Sequence, residues 1–195
     1  MTDHPDRRGL LSLAVLPLLA ALAEPRPASA QGVAPSKGGA GPEHDFDYFF
    51  GAWTVQHRRL KVRLAGSNDW ETYEGATTCI PLLGGAANLN DSITHRGGAS
   101  YRTLGLRAYD PKARTWADWS LDGRDPGQID PPGVGRFVGG VGLFLSDETI
   151  DGRNLKVRGQ FSSLSPKVAQ WDQAFSPDDG KTWETNYVMR YTRTG

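Results

Sequence analysis

The residues best suited to chemistry are few and are scattered along the chain. After residue 30, histidine occurs only at His44, His57 and His95, and the single cysteine is Cys79. No two of these histidines lie two or four residues apart, and the cysteine has no partner at a zinc-site spacing, so we expect no metal site. A haem would have to use His57 or His95, or a tyrosine or methionine, and we expect no cofactor.

Patterns for phosphate binding and nucleophilic catalysis are missing from the sequence. The stretches 84–88 and 139–142 are glycine-rich, but neither opens a predicted helix or ends in Lys-Ser or Lys-Thr. Such glycines favour bends in a sheet over a phosphate loop. No Gly-x-Ser-x-Gly elbow occurs, so a serine triad is not indicated.

Polar side chains on predicted strands are the remaining candidates. If Trp53 points into the protein, strict alternation sends His57 inward and then a series of bases as well. A bulge near 58–59 would turn those bases outward and leave His57 facing the interior. His57 then either bonds a backbone group or contacts a ligand.

The predicted strand around Asp118 is ambiguous, because each of its faces carries a tryptophan. With Trp116 inward, Asp118 and Ser120 are inward too, and a carboxylate in an apolar interior has a raised pKa suited to proton transfer. With Trp119 and Leu121 inward, Asp118 is solvated. We take the second arrangement as the expectation.

Further candidates share a strand face or a long loop. Asn88 and Asn90 lie on one face of their strand, and Arg107 aligns with Tyr101, Thr103 and Tyr109. The loop 122–133 is long and proline-rich, which is typical of a fixed rim around a site, with Arg124 and Asp130 as its contact residues. The candidate ligand-binding residues are Trp53, His57, Asn88, Asn90, Arg107, Asp118, Arg124 and Tyr187.

The N-terminal segment differs from the rest and predicts export. Arg7 and Arg8 precede an apolar run over 9–23, and Ala28-Ser29-Ala30 suits a cleavage site. Residues 1–30 are therefore expected to form a signal peptide whose twin arginine is also compatible with twin-arginine export, giving a periplasmic or secreted protein. The run is too short for a retained membrane anchor. Residues 31–43 read as a flexible leader, and 44–195 as one domain.

Charge excludes two partner classes. The chain has 22 basic and 22 acidic side chains, and residues 1–30 contain three of each, so the exported part is also neutral. A neutral domain with interleaved charges has no electrostatic footprint for nucleic acid or anionic membranes. One cysteine allows no internal disulfide.

The pattern after Gly51 is strand, turn, strand. A short aromatic helical turn, Asp45 to Phe50 with an Asp cap, is expected to plug the core. We expect nine strands, joined by short turns into an antiparallel meander that closes as an up-and-down barrel of 8–10 strands, an open two-sheet sandwich being the alternative. The strands are predicted at 52–64, 69–79, 86–94, 100–109, 114–122, 134–146, 153–163, 168–176 and 181–192.

At Gly51-Ala52-Trp53, after the short aromatic turn, the chain resembles lipocalins and other calycins. The resemblance implies that Trp53 plugs the closed end of an all-β calycin-like barrel, with Arg190 or Arg193 lying across it. Segments from about 46 to 192 also resemble a bacterial exported domain family of unknown function. These include Leu83–Asn88, Leu106–Pro111, Pro131–Phe137 and Trp171–Ser176.

A second resemblance concerns Ser176 to Trp183. The segment matches the Ser-x-Asp-x-Gly-x-Thr-Trp box of sialidase propellers, where the box braces a hairpin far from the catalytic centre. It occurs once here, so we interpret it as a structural hairpin and not as a sign of a glycosidase.

Three functions are compatible with these features. The leading hypothesis is a binding protein, not an enzyme, that holds a small apolar or amphipathic molecule in an aromatic-lined barrel. The alternative is a cavity isomerase, cyclase or hydrolase with Asp118 and His57 as acid and base. The third is a packed barrel with a protein partner on its outer surface. The ligand and the oligomeric state are not specified by the sequence.

Overall fold

A computed structural model describes residues 41–150 and 152–194. The predicted signal peptide, and residues 31–40 of the predicted leader, lie outside these residues. The carbonyl of Pro42 already accepts a hydrogen bond from Trp116 Nε1 at 3.0 Å. No helix among the described residues has the length and apolar character needed to cross a bilayer.

Ten antiparallel strands form a closed barrel, in which each strand pairs with the next along the chain and β1 pairs with β10. This confirms the predicted up-and-down barrel. The strands are β1 Gly51–Leu60, β2 Trp70–Leu82, β3 Ala87–Arg96, β4 Ala99–Asp110, β5 Thr115–Asp122, β6 Gly133–Val138, β7 Val141–Ile150, β8 Arg153–Ser165, β9 Val168–Ser176 and β10 Glu184–Arg193.

The tenth strand arises where one strand was expected over 134–146. Gly139 and Gly140 have φ of 59° and 81°, a left-handed conformation that lets two residues reverse the chain between β6 and β7. The glycine pair therefore forms a tight hairpin turn.

The closed end is plugged by aromatic side chains, as predicted. Two short 3-10 turns, Pro42–His44 and Asp47–Phe49, precede β1 and carry Phe46 and Phe49, which are fully buried. Phe46 packs edge-on against Trp116 and Phe161. The expected Asp cap is absent from the second turn, whose N-cap is Phe46 without a side-chain cap. Packing against the barrel, and not capping, therefore holds the plug.

The plug is joined to the last strand by Arg193. Its guanidinium lies 4.1 Å from the Trp53 ring centroid, and its Nη1 and Nη2 donate to the carbonyls of Phe50 and Tyr48 at 2.5 and 2.6 Å. Of the two expected arginines, Arg193 is thus the one that lies across Trp53.

The other end of the barrel is less completely closed. β5 pairs with β6 over three residues, Trp116 to Asp118, because the loop after Asp122 leaves the wall and returns at Gly133. Residues 119–122 consequently have a strand partner on the β4 side only, among the described residues.

The expected bulge near 58–59 is wrong. Arg58 and Arg59 pair in register with both neighbouring strands, and β1 ends at Leu60, before Lys61 and Arg63 could point inward. Arg59 lies at the open end, 5.7 Å from the Tyr187 ring centroid. Because β1 ends at Leu60, the basic residues that follow it are not buried, and no bulge is needed.

The Ser176–Trp183 segment forms the connection between β9 and β10, as expected for a structural hairpin. The Asp178 carboxylate accepts from Thr182 N at 2.8 Å and from Thr182 Oγ1 at 2.6 Å. These bonds lower the pKa of Asp178 to about 2. Trp183 Nε1 donates to the Gly180 carbonyl at 3.0 Å, so the turn is braced by its own side chains.

Candidate ligand-binding lumen

Strand register brings three of the candidate residues to one level of the interior. Arg107 on β4 lies directly opposite Asn88 on β3 and Asp118 on β5. Directly opposite residues of neighbouring strands point to the same face, and Trp116, two residues before Asp118, is buried in the core. Asn88, Arg107 and Asp118 therefore all face inward.

Arg107 is the centre of this level. Its side chain is buried, and its Nη1 and Nη2 donate to Asn88 Oδ1 at 2.9 Å and to Asn90 Oδ1 at 2.8 Å. Its Nε lies 3.1 Å from Asp118 Oδ1, in an ion pair that is not aligned as a hydrogen bond. The guanidinium also lies 4.7 Å from the Phe161 ring centroid. Arg107 thus joins the aromatic plug below to the polar level above.

The expectation that Asp118 is solvated on the outer face is wrong. Trp116 is the inward tryptophan, so Asp118 and Ser120 point inward as well. Burial raises the pKa of the Asp118 carboxyl, and Arg107 partly offsets that rise. The side chain faces the barrel interior and yet is 22% exposed. Asp118 is the charged group at the lumen floor.

A chain of polar contacts continues from Arg107 along β2 and β3. Asn90 Nδ2 donates to Ser92 Oγ at 2.9 Å, and Ser92 Oγ donates to Thr77 Oγ1 at 2.8 Å. A Cβ at Gly105 would lie 2.4 Å from Asn90 Oδ1 and 3.2 Å from Arg107 Nη2. Glycine at 105 therefore makes room for this network.

Cys79 lies beside the network as a buried thiol, 3.7 Å from Asn88 Oδ1. Burial raises its pKa to about 11. Because the thiolate is the reactive form, this cysteine is chemically inert at neutral pH.

His57 faces inward, as predicted, but belongs to the wall. Its Nδ1 lies 2.7 Å from Tyr187 Oη, and its ring stacks on Tyr73 with centroids 4.8 Å apart. A Cβ at Gly75 would lie 2.8 Å from its Nε2, so this nitrogen faces β2 and not the lumen. Burial lowers the pKa of His57 to about 4, which makes the imidazole neutral at physiological pH.

The predicted acid–base pair does not form in this structure. Asp118 contacts Arg107, whereas His57 contacts Tyr187 and Tyr73. No hydrogen bond or ion pair links His57 to Asp118 in the described part of the chain. A mechanism that needs both side chains on one substrate atom finds no support in this geometry.

The other candidates lie at the two ends. Trp53 is buried at the closed end, where its Nε1 donates to the Phe49 carbonyl at 2.8 Å. Arg124 is exposed at the open end, where its Nε donates to Asp122 Oδ1 at 2.9 Å and its guanidinium covers the Tyr101 ring at 4.8 Å. The structure thus places Trp53 under the plug and Arg124 on the rim.

Several lumen residues were not singled out from the sequence. Trp171, Gln173 and Met189 face inward opposite Phe161, Tyr187 and His57, and each remains partly accessible. Their period-two alternation on β9 and β10 is the signal that could have identified them. His95, in contrast, is exposed on the outer face and bonds Ser100 Oγ at 2.9 Å.

Metal-ligand chemistry is not supported by the described residues either. Among residues 41–150 and 152–194, no group of three or more histidine, cysteine, aspartate or glutamate side chains is arranged to hold a metal ion.

Comparisons with known proteins bear on the fold. No family model matches the chain, and no curated protein is similar to it in sequence. Fifteen chains of solved structures match. Among them is the S-type phycobiliprotein lyase from Guillardia theta, with a TM-score of 0.54 and 10% sequence identity, covering 78% of this chain and 92% of that one. The barrel is calycin-like. Membership of a bacterial exported family stays a prediction.

Proposed function

We propose that this protein binds a small, mostly apolar molecule in the upper half of its barrel. The observation that carries the proposal is the contrast between the two halves of the interior. The lower half is filled by buried aromatic side chains, and Leu155, Val157 and Phe175 fill part of the open end beside β8 and β9. The other inward-facing side chains above Arg107 keep partial access to solvent. Those with partial access are Ser92, Tyr101, Thr103, Trp171, Gln173, Tyr187 and Met189.

The lining predicts the shape and polarity of the ligand. Trp171, Tyr101, Tyr187 and Met189 supply aromatic and thioether surface, and pockets of this kind orient a ligand through a few polar groups. Asp118 is the acidic group at the floor with accessible surface, and its ion pair with Arg107 favours the ionised carboxylate, which accepts hydrogen bonds. The polar end of the ligand is therefore expected to donate a hydrogen bond there.

Export of the protein is part of the same proposal. Cleavage after Ala30 would release the barrel into the periplasm or the medium, where a binding protein meets small molecules outside the cytoplasm. N-terminal sequencing of the protein from its host tests this step. A mature terminus at Gln31 supports export, and an intact Met1 terminus contradicts it.

The binding step can be tested with N-phenyl-1-naphthylamine, an apolar probe with a single N–H donor whose fluorescence rises in a dry site. We expect saturable binding to the wild-type barrel. Thr103→Trp places a bulky ring in the lumen, because Thr103 faces inward opposite Ser92 and Asp122, and should weaken binding about tenfold or more.

Thr72→Trp is the matched control for that variant. Thr72 is exposed on the outer face of β2, opposite Arg58, so the same substitution adds a tryptophan outside the lumen and should leave the affinity unchanged. Equal binding by Thr103→Trp and wild type would place the probe elsewhere and contradict the lumen as the site. Far-UV circular dichroism confirms that each variant is folded.

A further inference from the structure

The outer surface of the barrel has one strongly apolar side. On β2 to β5, Ile80, Leu89, Leu106 and Trp119 lie directly opposite one another in a single row, and all point away from the interior. The next row continues through Val134 on β6 to Leu145 on β7. We call these two rows, together with the outward side chains of the β6–β7 hairpin beside them, the apolar face.

The apolar face contains most of the exposed apolar surface of the protein. Of the twelve large hydrophobic side chains that are exposed in the described part of the chain, nine lie on this face or at its edge, and the other three are Val62, Ile129 and Leu164. Leu106 is 40% exposed and Leu145 is 48% exposed. Soluble monomers seldom leave a contiguous patch of this extent in water.

The opposite side of the barrel is polar. Most outward positions on β8, β9, β10 and β1 are polar, although Leu60, Val168 and Val188 are outward too. The polar ones include Arg158, Gln160, Gln170, Arg190, Gln56 and Arg58. A barrel that needed apolar residues merely to form strands would carry them on all sides. The asymmetry indicates that one side is normally covered.

We infer that the apolar face is covered by a second copy of this chain in a two-fold dimer. The nine side chains, each 36–81% exposed, leave on the order of several hundred Å² of apolar surface in water. A stable dimer of ordinary size buries about 800 Å² of polar and apolar surface together on each partner, of which somewhat more than half is apolar. A two-fold interface uses the same patch on both copies, and the chain carries no net charge that would oppose the approach. The area of the face thus matches what self-association requires.

Sedimentation velocity of the full chain at micromolar concentrations tests the inference. The wild type is expected to sediment at twice the protomer mass. Leu106→Arg or Leu145→Arg would bury an unpaired charge in the interface, so each should raise the dimer dissociation constant about 100-fold or more. Both side chains point outward, so these variants should keep the wild-type circular dichroism spectrum.

Val62→Arg is the matched control, because Val62 is 56% exposed and follows β1, on the side of the barrel away from the apolar face. It should remain a dimer. A wild type that stays at the protomer mass, or equal dissociation by all three arginine variants, overturns the inference. If Leu106→Arg does not fold, Leu145→Arg and the milder Leu145→Ser decide between these outcomes.

A lipid surface is the other occupant that the experiment must distinguish. Co-sedimentation with phosphatidylcholine vesicles by a wild-type protomer, lost in Leu145→Arg, would assign the face to lipid and overturn the dimer. Because Leu106 and Leu145 lie outside the lumen, their arginine variants should still bind N-phenyl-1-naphthylamine. Failure of the dimer and failure of the lumen site are thereby separable.

Discussion

Replacing Arg107 by methionine should destabilise the barrel strongly at neutral pH. The substitution keeps a long side chain but removes two hydrogen bonds, to Asn88 and Asn90, and the ion pair with Asp118. Removing one partner of a buried pair costs about 3–5 kcal/mol, because the other charge is left without compensation. Asp118 is 22% exposed and is partly hydrated, so we expect about 3 kcal/mol.

The loss should shrink as the pH falls. Burial already holds the pKa of Asp118 above its ordinary value, and Arg107 lowers it, so the variant raises that pKa further. A carboxyl whose pKa is higher in the folded than in the unfolded protein binds more protons in the folded state. It therefore stabilises the fold at low pH, and this contribution is lost as the pH rises through the folded-state pKa. Once Asp118 is protonated, the cost of the two unpaired amide oxygens of Asn88 and Asn90 remains, at about 2 kcal/mol.

Urea unfolding followed by tryptophan fluorescence measures this at a series of pH values. Arg102→Met is the matched control, because Arg102 lies on the same strand but forms an exposed ion pair with Asp91, and it should change stability by less than about 1 kcal/mol. Adding Asp118→Asn to Arg107→Met should restore the part of the loss that is due to the unpaired carboxylate. A loss that equals that of Arg102→Met, or one that grows toward acid pH, would refute the reasoning.

Two further predictions concern His57 and Arg193. Since burial lowers the pKa of His57 to about 4 from 6.5, its contribution to stability is present above pH 6.5 and is lost as the pH falls toward 4. Between pH 6.5 and pH 4 the free energy of unfolding of the wild type should therefore fall by about 3 kcal/mol more than that of His57→Phe. Urea unfolding at several pH values measures both, and an equal fall in the two proteins would contradict this. Arg193→Met should cost about 2–4 kcal/mol, because it leaves the carbonyls of Tyr48 and Phe50 unpaired. Arg193→Lys should recover only part of that stability, because lysine lacks the planar guanidinium that donates to two carbonyls at once. A melting temperature equal to that of the wild type would be inconsistent with these bonds.

Much of the closed end was predictable from the sequence. The aromatic run before Gly51, Trp53 and a basic residue on the last strand lie in the order that calycins use, and Arg193 takes the expected place. The inward position of His57 also follows from alternation alone, since it is four residues after Trp53 on one strand. Local pattern and resemblance therefore agree at this end of the barrel.

The lumen floor was harder to predict because β5 has apolar residues on both faces. Alternation identifies the inner face only when the outer face is polar, and here the outward Trp119 and Leu121 belong to the apolar face. The feature that shows Asp118 to face inward is its buried partner, Arg107. Because Arg107 lies on a different strand, the local sequence of β5 does not reveal it. The apolar residues on the outer face of β5 thus hid the alternation that would have identified its inner face.

Two backbone details were wrong for different reasons. The turn at Gly139 and Gly140 had a clear local signal, because a two-glycine step between alternating residues is typical of a hairpin. The proposed bulge after His57 had none, since the strand simply ends at Leu60. Register shifts occur elsewhere, at Thr185/Tyr187 on β10 and Ser163/Ser165 on β8.

Native mass spectrometry of the protein purified from its own host tests the central claim most directly. We expect a non-covalently bound small molecule on the wild type and on Thr72→Trp, and none on Thr103→Trp. A wild type without any bound species, or an equal load on Thr103→Trp, would contradict a ligand-binding lumen above Arg107 and Asp118.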